Sequence, residues 1–399
     1  MTNTPSNRSF VFVTWDGGGN LPPAIGMAQD LVAMGHEVRF LGHRKQEAQV
    51  GSAGLPFRAF EETPDYDSEI AVSPQNFMPF LFDHIIFEPA MARDLEAEMA
   101  RGRTDAVVVD CMLTAPLALL EAGEVPSAAL VHTLHRFFEG WDLATIPGSP
   151  RLAGLRAGLG LPPVATLHDT WRGADRVLVV SPPQFDDGEA PLPANTVHVG
   201  AVADRRHGHG RWDPAWGAQS DQPLVLVSFS TTAMDQEDLL NRVADALSTL
   251  PVRALMTTGR GIDVDTIRPA PNTVVREFVR HTDVLPFVDL AVCHAGHGTV
   301  MAALANGVPL LCLPMGRDQP MVAGRVAELG AGRRLDPESD AGAIRDSVAA
   351  MLADPAFRIA AGQIASAMAS TSPTAAADEL IAMAKSGVAA EVMNLAATH

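Results

Sequence analysis

The chain has 399 residues, of which 47% are hydrophobic and 19% are charged, a composition typical of a globular protein with room for two or three domains. Its formal net charge of -18 disfavours nucleic acids and anionic lipid as main partners, although helix-terminal amides can still hold a small anion locally. The three cysteines form no CxxC pair, which argues against a disulfide framework or a cysteine zinc site.

The N-terminus is polar and leads into a strand pattern, so it predicts no signal peptide. No apolar run approaches the ~20 residues that a membrane span needs. We therefore expect a cytoplasmic protein.

Short apolar runs alternate with helical patterns along the first half, as in a parallel sheet covered on both faces. The runs that predict strands are SFVFVT (9–14), HEVRFLG (36–42), LPFRAF (55–60), DAVVVD (105–110), SAALVH (127–132) and RVLVVS (176–181). Between the first two, apolar residues at helical spacing predict a helix over 24–36 that Gly35 closes. The first half is thus predicted to be one α/β domain, 1–202.

Residues 203–222 are polar, rich in Gly and His and without periodicity, so they predict an interdomain linker. The HGHG cluster at 207–210 is interpreted as surface histidines, since no acidic or thiol partner stands at metal-ligand spacing. The predicted domains are therefore 1–202 and 223–375, followed by a helical tail over 376–399 that could pack back on the first domain.

A second series of apolar runs predicts another sheet of the same type. These runs are PLVLVSFS (223–230), VRALMTT (252–258), TVVREFV (273–279), DLAVCH (289–294) and VPLLCLP (308–314). Helical patterns separate them, notably over 235–250, and three helical segments follow Asp336. Ligands of such sheets bind beyond the carboxyl ends of the strands, here expected in a cleft between two domains.

The most informative motif is HAGHGT, which follows the strand that ends at position 294. Gly296 and Gly298 let the backbone approach a ligand, and a helix start, expected at Thr299, offers amides to a pyrophosphate. His294 can donate a hydrogen bond to a phosphate oxygen. Each feature also has a structural explanation, such as a satisfied strand-end histidine or an ordinary cap. Their combination with the downstream pair Asp318 and Gln319, within roughly 26 residues, favours a binding site.

The segments HAGHGT, GVPLLCLP and PMGRDQP resemble the donor half of GT-B-fold glycosyltransferases, bacterial enzymes that decorate natural products from nucleotide-activated sugars. The resemblance covers nearly the whole chain and implies an α/β protein with two facing Rossmann-like domains, parallel sheets and an interdomain cleft. Ala295, Arg280 and Val322 depart from the family pattern, where glycine, proline and asparagine are usual.

The resemblance assigns donor contacts by part of the ligand. The diphosphate is assigned to His294, Gly298, Thr299, Ser230 and Thr231, the base to Phe278 and Val279, and the transferred sugar to Asp318 and Gln319. Gly296 and His297 are further donor-binding candidates.

The glycine-rich turn TWDGGGNLPP (14–23) is interpreted as the floor of the acceptor site. In the resembled family this turn carries Gly-His-x-x-Pro, whose histidine takes the acceptor's proton, and a later carboxylate orients that histidine. Asn20 occupies the histidine position and cannot accept a proton, whereas Asp110 matches the carboxylate.

Three explanations for Asn20 remain open. In the first, the acceptor is acidic enough to need little base catalysis. In the second, another side chain is the base. In the third, the chain has lost transferase activity and kept only ligand binding. The groups considered as bases are Asp16, Asp110, His84 and His132. We favour the first two explanations together, with Asp110 as the direct base.

The segments 66–90 and 134–143 are rich in aromatic residues, of which most are expected in the core and the rest around an apolar pocket. The acceptor-binding candidates are Asp16, Gly18, Gly19, Phe77, Phe80, His84 and Phe137.

The reaction implied by the resemblance is direct displacement at the anomeric carbon with inversion, from a nucleoside diphosphate sugar, with thymidine-linked deoxysugars the family habit, to a hydrophobic acceptor. No metal or other cofactor is expected, and a homodimer is left open. A non-catalytic nucleotide-sugar-binding protein and an epimerase are alternatives. An NAD(P)-dependent oxidoreductase is disfavoured, since GGGN lacks the Gly-x-Gly-x-x-Gly pattern.

Overall fold

The computed structural model describes residues 7–66, 74–186, 192–202, 221–229, 236–259 and 262–385, with only the backbone of 74–76. The chain divides into two compact units. The first comprises Met1–Asp67, Val72–Arg206 and Ser372–His399, and the second comprises Ser68–Ala71 and His207–Thr371. The HGHG cluster and most of the predicted linker lie outside the described residues.

The first unit is built on a seven-stranded parallel sheet in the order β3-β2-β1-β4-β5-β6-β7. Its strands are β1 (Ser9–Val13), β2 (Glu37–Gly42), β3 (Phe57–Ala59), β4 (Ala106–Asp110), β5 (Ser127–Val131), β6 (Arg176–Val179) and β7 (Thr196–His198). All residues of β1, β4 and β5 are buried, as continuous apolar runs predict for strands covered on both faces. The six predicted strands are confirmed, and β7 was not predicted.

Helices cover this sheet. They are α1 (Leu21–Ala33), α2 (Glu47–Ser52), α3 (Pro74–Leu81), α4 (Ala90–Ala100), α5 (Thr114–Glu121), α6 (Ser149–Gly158) and α7 (Leu167–Trp171). A π-helical turn (Phe82–Ile86) follows α3, and short 3₁₀ turns span Arg44–Gln46, His135–Phe138 and Pro183–Phe185. Helix α1 begins at Leu21, earlier than predicted, because prolines are accommodated in a first turn whose N–H groups have no intrahelical partner.

The second unit has a six-stranded parallel sheet in the order β10-β9-β8-β11-β12-β13. Its strands are β8 (Leu224–Ser228), β9 (Arg253–Thr257), β10 (Thr273–Arg276), β11 (Leu290–Cys293), β12 (Leu310–Cys312) and β13 (Gly332–Arg334). Its helices are α8 (Glu237–Ser248), α9 (His281–Val284), α10 (His297–Ala305), α11 (Gln319–Glu328), α12 (Ala341–Ala353) and α13 (Pro355–Ala369). Two 3₁₀ turns span Val264–Thr266 and Leu285–Phe287. The five predicted strands are confirmed, and β13 was not predicted.

Each sheet reverses its strand order beside its first strand, between β1 and β4 in the first unit and between β8 and β11 in the second. In open parallel sheets, ligands bind beyond the carboxyl ends of the strands at such a reversal. The residues that follow these four strands are therefore where each unit's site is expected.

The helix over 375–385, α14, belongs to the first unit. Leu380 and Met383 are buried in the same cluster as Phe10 and Phe12 of β1. The Arg8 guanidinium donates a hydrogen bond to the Ala384 carbonyl (2.8 Å). The end of the described chain thus completes the core of the unit in which the chain begins. Among the described residues, no helix is both long and apolar enough to cross a membrane.

Replacing Leu380 with alanine is expected to lower the free energy of unfolding of the first unit by ~2–5 kcal/mol, because the side chain is fully buried. Urea unfolding followed by tryptophan fluorescence measures the change, since Trp15, Trp141 and Trp171 lie in this unit. The control is Lys385→Ala on the exposed side of α14, expected to change stability by less than about 0.5 kcal/mol. Equal effects of both variants would contradict the described packing of α14.

Candidate active site

Asn20 fixes the turn that follows β1. Its Oδ1 accepts a hydrogen bond from the Gly17 N–H (3.2 Å), and its Nδ2 donates to the Trp15 carbonyl and to Asp110 Oδ2 (3.0 Å each). The residue is only 2% exposed. Asn20 therefore closes the glycine-rich turn and ties it to the end of β4.

The glycines of this turn have different roles. A Cβ on Gly17 would lie 2.7 Å from the Trp15 ring and 2.8 Å from Asn20 Oδ1, so Gly17 is needed for the internal closure of the turn. Gly18 has a left-handed conformation with φ of 76°, which favours glycine. Gly19 is exposed, with open space where a Cβ would stand. Gly18 and Gly19 stay predicted acceptor contacts.

Two residues that the sequence analysis did not single out, both just after β2, support the turn that follows β1. Gln46 Nε2 donates to Thr14 Oγ1 (3.1 Å) and to the Trp15 carbonyl (2.9 Å). His43 Nδ1 accepts a hydrogen bond from the half-buried Asp16 through its N–H (3.3 Å). Burial lowers the pKa of His43 to about 4, against the opposing effect of nearby carboxylates, so the ring is a neutral acceptor at pH 7.

Asp110, the last residue of β4, is a buried carboxylate with hydrogen bonds to both oxygens. Oδ1 accepts from the Met112 N–H (3.0 Å), and Oδ2 accepts from Asn20 Nδ2 and lies 2.9 Å from His132 Nδ1. Burial acts to raise the pKa of Asp110, but His132, Asn20 and Met112 together bring it below its ordinary value. Asp110 is therefore ionised at neutral pH.

His132 immediately follows β5, the strand next to β4, and its side chain is 15% exposed. Asp110, Cys111 and His132 lie close together. Within the described ranges, they are a group whose potential metal-ligating atoms are all within 4.8 Å of one another. The separation of Asp110 and His132 is that of a hydrogen bond. Burial raises the pKa of the Cys111 thiol well above its ordinary value, which keeps it protonated. The group is therefore better explained as a hydrogen-bonded pair beside a neutral thiol than as a metal site.

The predicted acceptor residues fall into separate aromatic groups. His84 packs against Phe80 (4.3 Å between ring centroids), Phe80 contacts Tyr66 (5.1 Å), and Tyr66 contacts Trp15 of the first turn (6.4 Å). Phe80 and His84 are thus connected to the Asn20 turn through aromatic contacts.

Phe137 belongs to a second group, where it packs on Phe138 and Trp141. Phe77 is half-buried against the core of the unit. Ring contacts therefore join Phe80 to His84 and Phe137 to Phe138 and Trp141, while Phe77, Phe80 and Phe137 all pack against the same hydrophobic core.

In the second unit, the HAGHGT segment forms the turn between β11 and α10. Helix α10 begins at His297, with Gly296 as its cap residue, so the expectation that Thr299 opens the helix is wrong by two residues. The extended ψ of 132° at Gly296 ends the turn there, and Thr299 lies in the first helical turn instead. The first intrahelical hydrogen bond runs from the Val300 N–H to the Gly296 carbonyl (3.1 Å), so the amides of 297–299 precede it.

His294 lies over this turn and is 8% exposed. A Cβ on Gly296 would come 2.3 Å from His294 Nε2, so glycine is needed there for the approach of this ring. Burial, with the nearby Arg317, lowers the pKa of His294 to about 4, and the neutral ring carries one N–H at pH 7. Its Nδ1 has no hydrogen-bond partner among the residues the structure describes.

Two polar residues not named by the sequence analysis meet near the carboxyl end of β8. The Ser228 hydroxyl, at the end of β8, lies 3.1 Å from His281 Nε2 at the start of α9. Burial lowers the pKa of His281 as well. One sequence signal for His281 is its position two residues after Val279, in the segment assigned to the base.

The Asp-Gln pair lies where β12 leads into α11. Asp318 is the half-buried cap residue of α11, whereas Gln319 is buried and its Oε1 accepts a hydrogen bond from the Met315 N–H (2.8 Å). This places the Gln319 amide in the closure of its own loop. Arg317, which lies between Gly316 and Asp318, has a left-handed φ of 58°.

The remaining donor candidates differ in their exposure to solvent. Phe278, just after β10, is 64% exposed, and Val279 is half-buried. His297 is buried, Gly298 is exposed and Thr299 is half-buried. Ser230 and Thr231 lie outside the described residues.

The chain is similar in sequence to known proteins. Residues 245–383 match the model of the erythromycin biosynthesis protein CIII-like C-terminal domain. The chain is 28% identical to 4'-demethylrebeccamycin synthase of Lentzea aerocolonigenes, over 88% of this chain and 93% of the relative. It is 27% identical to demethyllactenocin mycarosyltransferase of Streptomyces fradiae, over 80% of this chain and 74% of the relative.

Solved structures show the same architecture. The calicheamicin glycosyltransferase CalG4 matches with a TM-score of 0.79 at 22% identity, over 94% of this chain and 98% of that chain. The glycosyltransferase VinC in complex with dTDP matches with a TM-score of 0.73 at 20% identity, over 94% of this chain and 99% of that chain. The predicted resemblance and the GT-B fold are confirmed.

The conformation of Ala295 leads to a stability prediction. Ala295 has a left-handed φ of 64°, where a Cβ costs about 1–2 kcal/mol, and the extra freedom of glycine in the unfolded chain offsets about 0.4–1 kcal/mol. Ala295→Gly is therefore expected to raise the free energy of unfolding by roughly 0.5–1 kcal/mol, as measured by urea unfolding followed by circular dichroism. Ala302→Gly inside α10 is the control, expected to lower it by about 1 kcal/mol. A loss of stability in both variants would argue against a left-handed residue at 295.

Proposed function

We propose that this chain, a glycosyltransferase of the GT-B fold, moves a sugar from a nucleoside diphosphate to a hydrophobic small-molecule acceptor, with inversion at the anomeric carbon. The carrying observation is the turn between β11 and α10, which brings a buried neutral imidazole and the first amides of a helix to the strand-order reversal of the second sheet. The dTDP bound in the similar VinC structure supports a thymidine nucleotide as the leaving group. The names of the two relatives, a demethylrebeccamycin synthase and a demethyllactenocin mycarosyltransferase, support a natural-product acceptor.

The donor's diphosphate is assigned to the start of α10. The amides of 297–299 and the positive end of the helix dipole attract the anion, and the Thr299 hydroxyl adds a donor. His294 donates a hydrogen bond from its ring N–H without carrying a charge of its own at pH 7. Ser230 and Thr231 stay predicted phosphate contacts.

The rest of the donor is assigned to the loops on either side. The exposed ring of Phe278 offers a stacking surface for the base, with Val279 beside it. The Asp318 carboxylate accepts hydrogen bonds from sugar hydroxyls. Gln319 holds the loop that carries Asp318, through its hydrogen bond with Met315.

In the reaction, the acceptor oxygen attacks the anomeric carbon from the face opposite the diphosphate. The bond from this carbon to the phosphate oxygen breaks, and its electron pair remains on the nucleoside diphosphate. The helix start and His294 stabilise the charge that develops there, a role that a metal ion fills in other enzymes. We accordingly propose that transfer requires no added metal.

Replacing His294 with alanine is expected to weaken the binding of thymidine diphosphate about ten- to a hundredfold, since it removes a hydrogen bond to a charged group. Isothermal titration calorimetry measures the affinity. The matched control is His198→Gln, which changes a histidine of the first unit that contacts the Ser181 carbonyl (3.0 Å) and is expected to bind like the unmodified chain. Unchanged affinity in His294→Ala would remove the ring from the donor site.

The reaction itself is tested with dTDP-glucose and UDP-glucose against a panel of phenols and macrolide aglycones, by chromatography for products and NMR for their anomeric configuration. A β-linked product from these α-linked donors is expected, with and without EDTA. Retention of configuration, or dependence on a divalent ion, would contradict the mechanism. Binding of the nucleotide with no transfer to any acceptor would favour the non-catalytic alternative.

A further inference from the structure

We infer that His132 is the general base that takes the acceptor's proton, and that Asp110 orients it. The inference rests on the proposed transfer reaction and deepens it. It selects one of the groups that the sequence left open and assigns Asp110 a positioning role in place of direct proton transfer.

The two residues meet because their strands are neighbours. Strands β4 and β5 pair in parallel, with Asp110 opposite Leu130, so that His132 emerges two residues further along at the same edge of the sheet. The resulting distance from His132 Nδ1 to Asp110 Oδ2 is 2.9 Å. Asp110 ends β4, which borders the strand-order reversal, and the Asn20 turn reaches it from the other side of that reversal.

The partner of Nδ1 determines which nitrogen can act as a base. An ionised carboxylate only accepts hydrogen bonds, so the proton of the neutral imidazole must be on Nδ1. The lone pair is then on Nε2, at the opposite side of the ring from Asp110. A histidine held in this tautomer by a carboxylate is the arrangement that general base catalysis by imidazole requires.

Asp110 is poorly suited to take the proton directly. Its carboxylate is 1% exposed, and three hydrogen-bond donors surround it. Those donors stabilise the ionised form, and binding a proton would sacrifice at least one of them. The negative charge of Asp110 instead stabilises the imidazolium that forms when His132 accepts a proton.

The other groups near this position do not replace His132. Asn20 uses its side-chain oxygen and nitrogen in three hydrogen bonds and has no basic atom. The Cys111 Sγ lies 4.0 Å from His132 Nδ1 and stays protonated. His84 is exposed and packs against Phe80, and no carboxylate contacts it among the described residues.

The proton balance of the step is simple. As the acceptor oxygen bonds to the anomeric carbon, its proton moves to His132 Nε2, and the electron pair of the breaking bond leaves with the nucleoside diphosphate. His132 then returns the proton to solvent. Asp110 is unchanged throughout.

The main test is His132→Gln, assayed with the acceptors that the unmodified chain glycosylates. We expect kcat/KM to fall about 10²–10⁴-fold, the usual contribution of a general base, with the affinity for thymidine diphosphate unchanged. The loss should shrink as the acceptor becomes more acidic, for example from phenol to 4-nitrophenol. His198→Gln, a histidine in another strand of the same sheet, is the matched control and should keep full activity. A His132→Gln variant that keeps full kcat/KM with phenol overturns the inference.

The pH profile separates a base from a structural role. The unmodified chain should lose kcat/KM as the pH falls and His132 takes up a proton, and His132→Gln should lack this acid limb. The titratable side chains of Asp110, whose pKa is below its ordinary value, and of the protonated Cys111 contact the ring. Asp110→Asn should lower kcat while leaving donor affinity unchanged, since the amide no longer enforces the tautomer. An acid limb that persists in His132→Gln overturns the assignment.

A measurement that needs no activity makes the test independent of the acceptor. In histidine-labelled protein, ¹⁵N NMR should show the His132 signal, identified by its absence from His132→Gln, as the Nδ1–H tautomer. An Nε2–H tautomer contradicts the inference even where no acceptor is found. Failure of nucleotide binding and transfer in the unmodified chain, by contrast, contradicts the proposed function.

Discussion

The buried carboxylate of Asp110 is the constraint on which the candidate site of the first unit depends. An ionised group removed from water is stable only when its oxygens accept hydrogen bonds. Asp110 receives them from Met112 in its own loop, from Asn20 in the turn after β1, and from His132 after β5. Satisfying one charge therefore fixes three segments relative to one another, and these segments carry the residues of the proposed acceptor site.

In the second unit, backbone conformation, not a buried charge, positions the residues of the turn between β11 and α10. Ala295 keeps a left-handed conformation despite its Cβ, fully buried and with its N–H directed at Cys293 Sγ (3.4 Å). Neighbouring structure must hold such a residue in place. The turn then delivers Gly296 at the helix cap with the His294 ring above it, so the strained residue and the proposed phosphate site belong to one feature.

The sequence predicted the strands well because each is a buried apolar run, and it failed where that signal is absent. Strand β7 has three half-buried residues, and β13 is Gly332–Arg334 with two exposed arginines, so neither shows an apolar pattern. The start of α10 was misplaced for a different reason. Thr299 has the side chain that caps prefer, but the extended conformation of Gly296 decides where the helix begins.

The sequence could name the groups of the acceptor site but could not choose among them. Asp110 and His132 are 22 positions apart, and only the order and register of β4 and β5 bring them to 2.9 Å. Gln319 is a different case. The motif assigned its side chain to the sugar, but in the structure this side chain accepts a hydrogen bond from Met315 in its own loop. Both outcomes depend on tertiary contacts that periodicity does not contain.

The sheet order also explains why Asn20 at the position of a histidine is compatible with catalysis. Strand β4 lies between β1 and β5, so the carboxylate at its end can be reached from the turn after either neighbour. Asn20 supplies the hydrogen bond from the β1 side, and His132 supplies an imidazole from the β5 side. Proton transfer requires a nitrogen oriented by a carboxylate, not a particular position in the chain. A parallel sheet offers two positions for that nitrogen, and in this protein the one after β5 holds the imidazole.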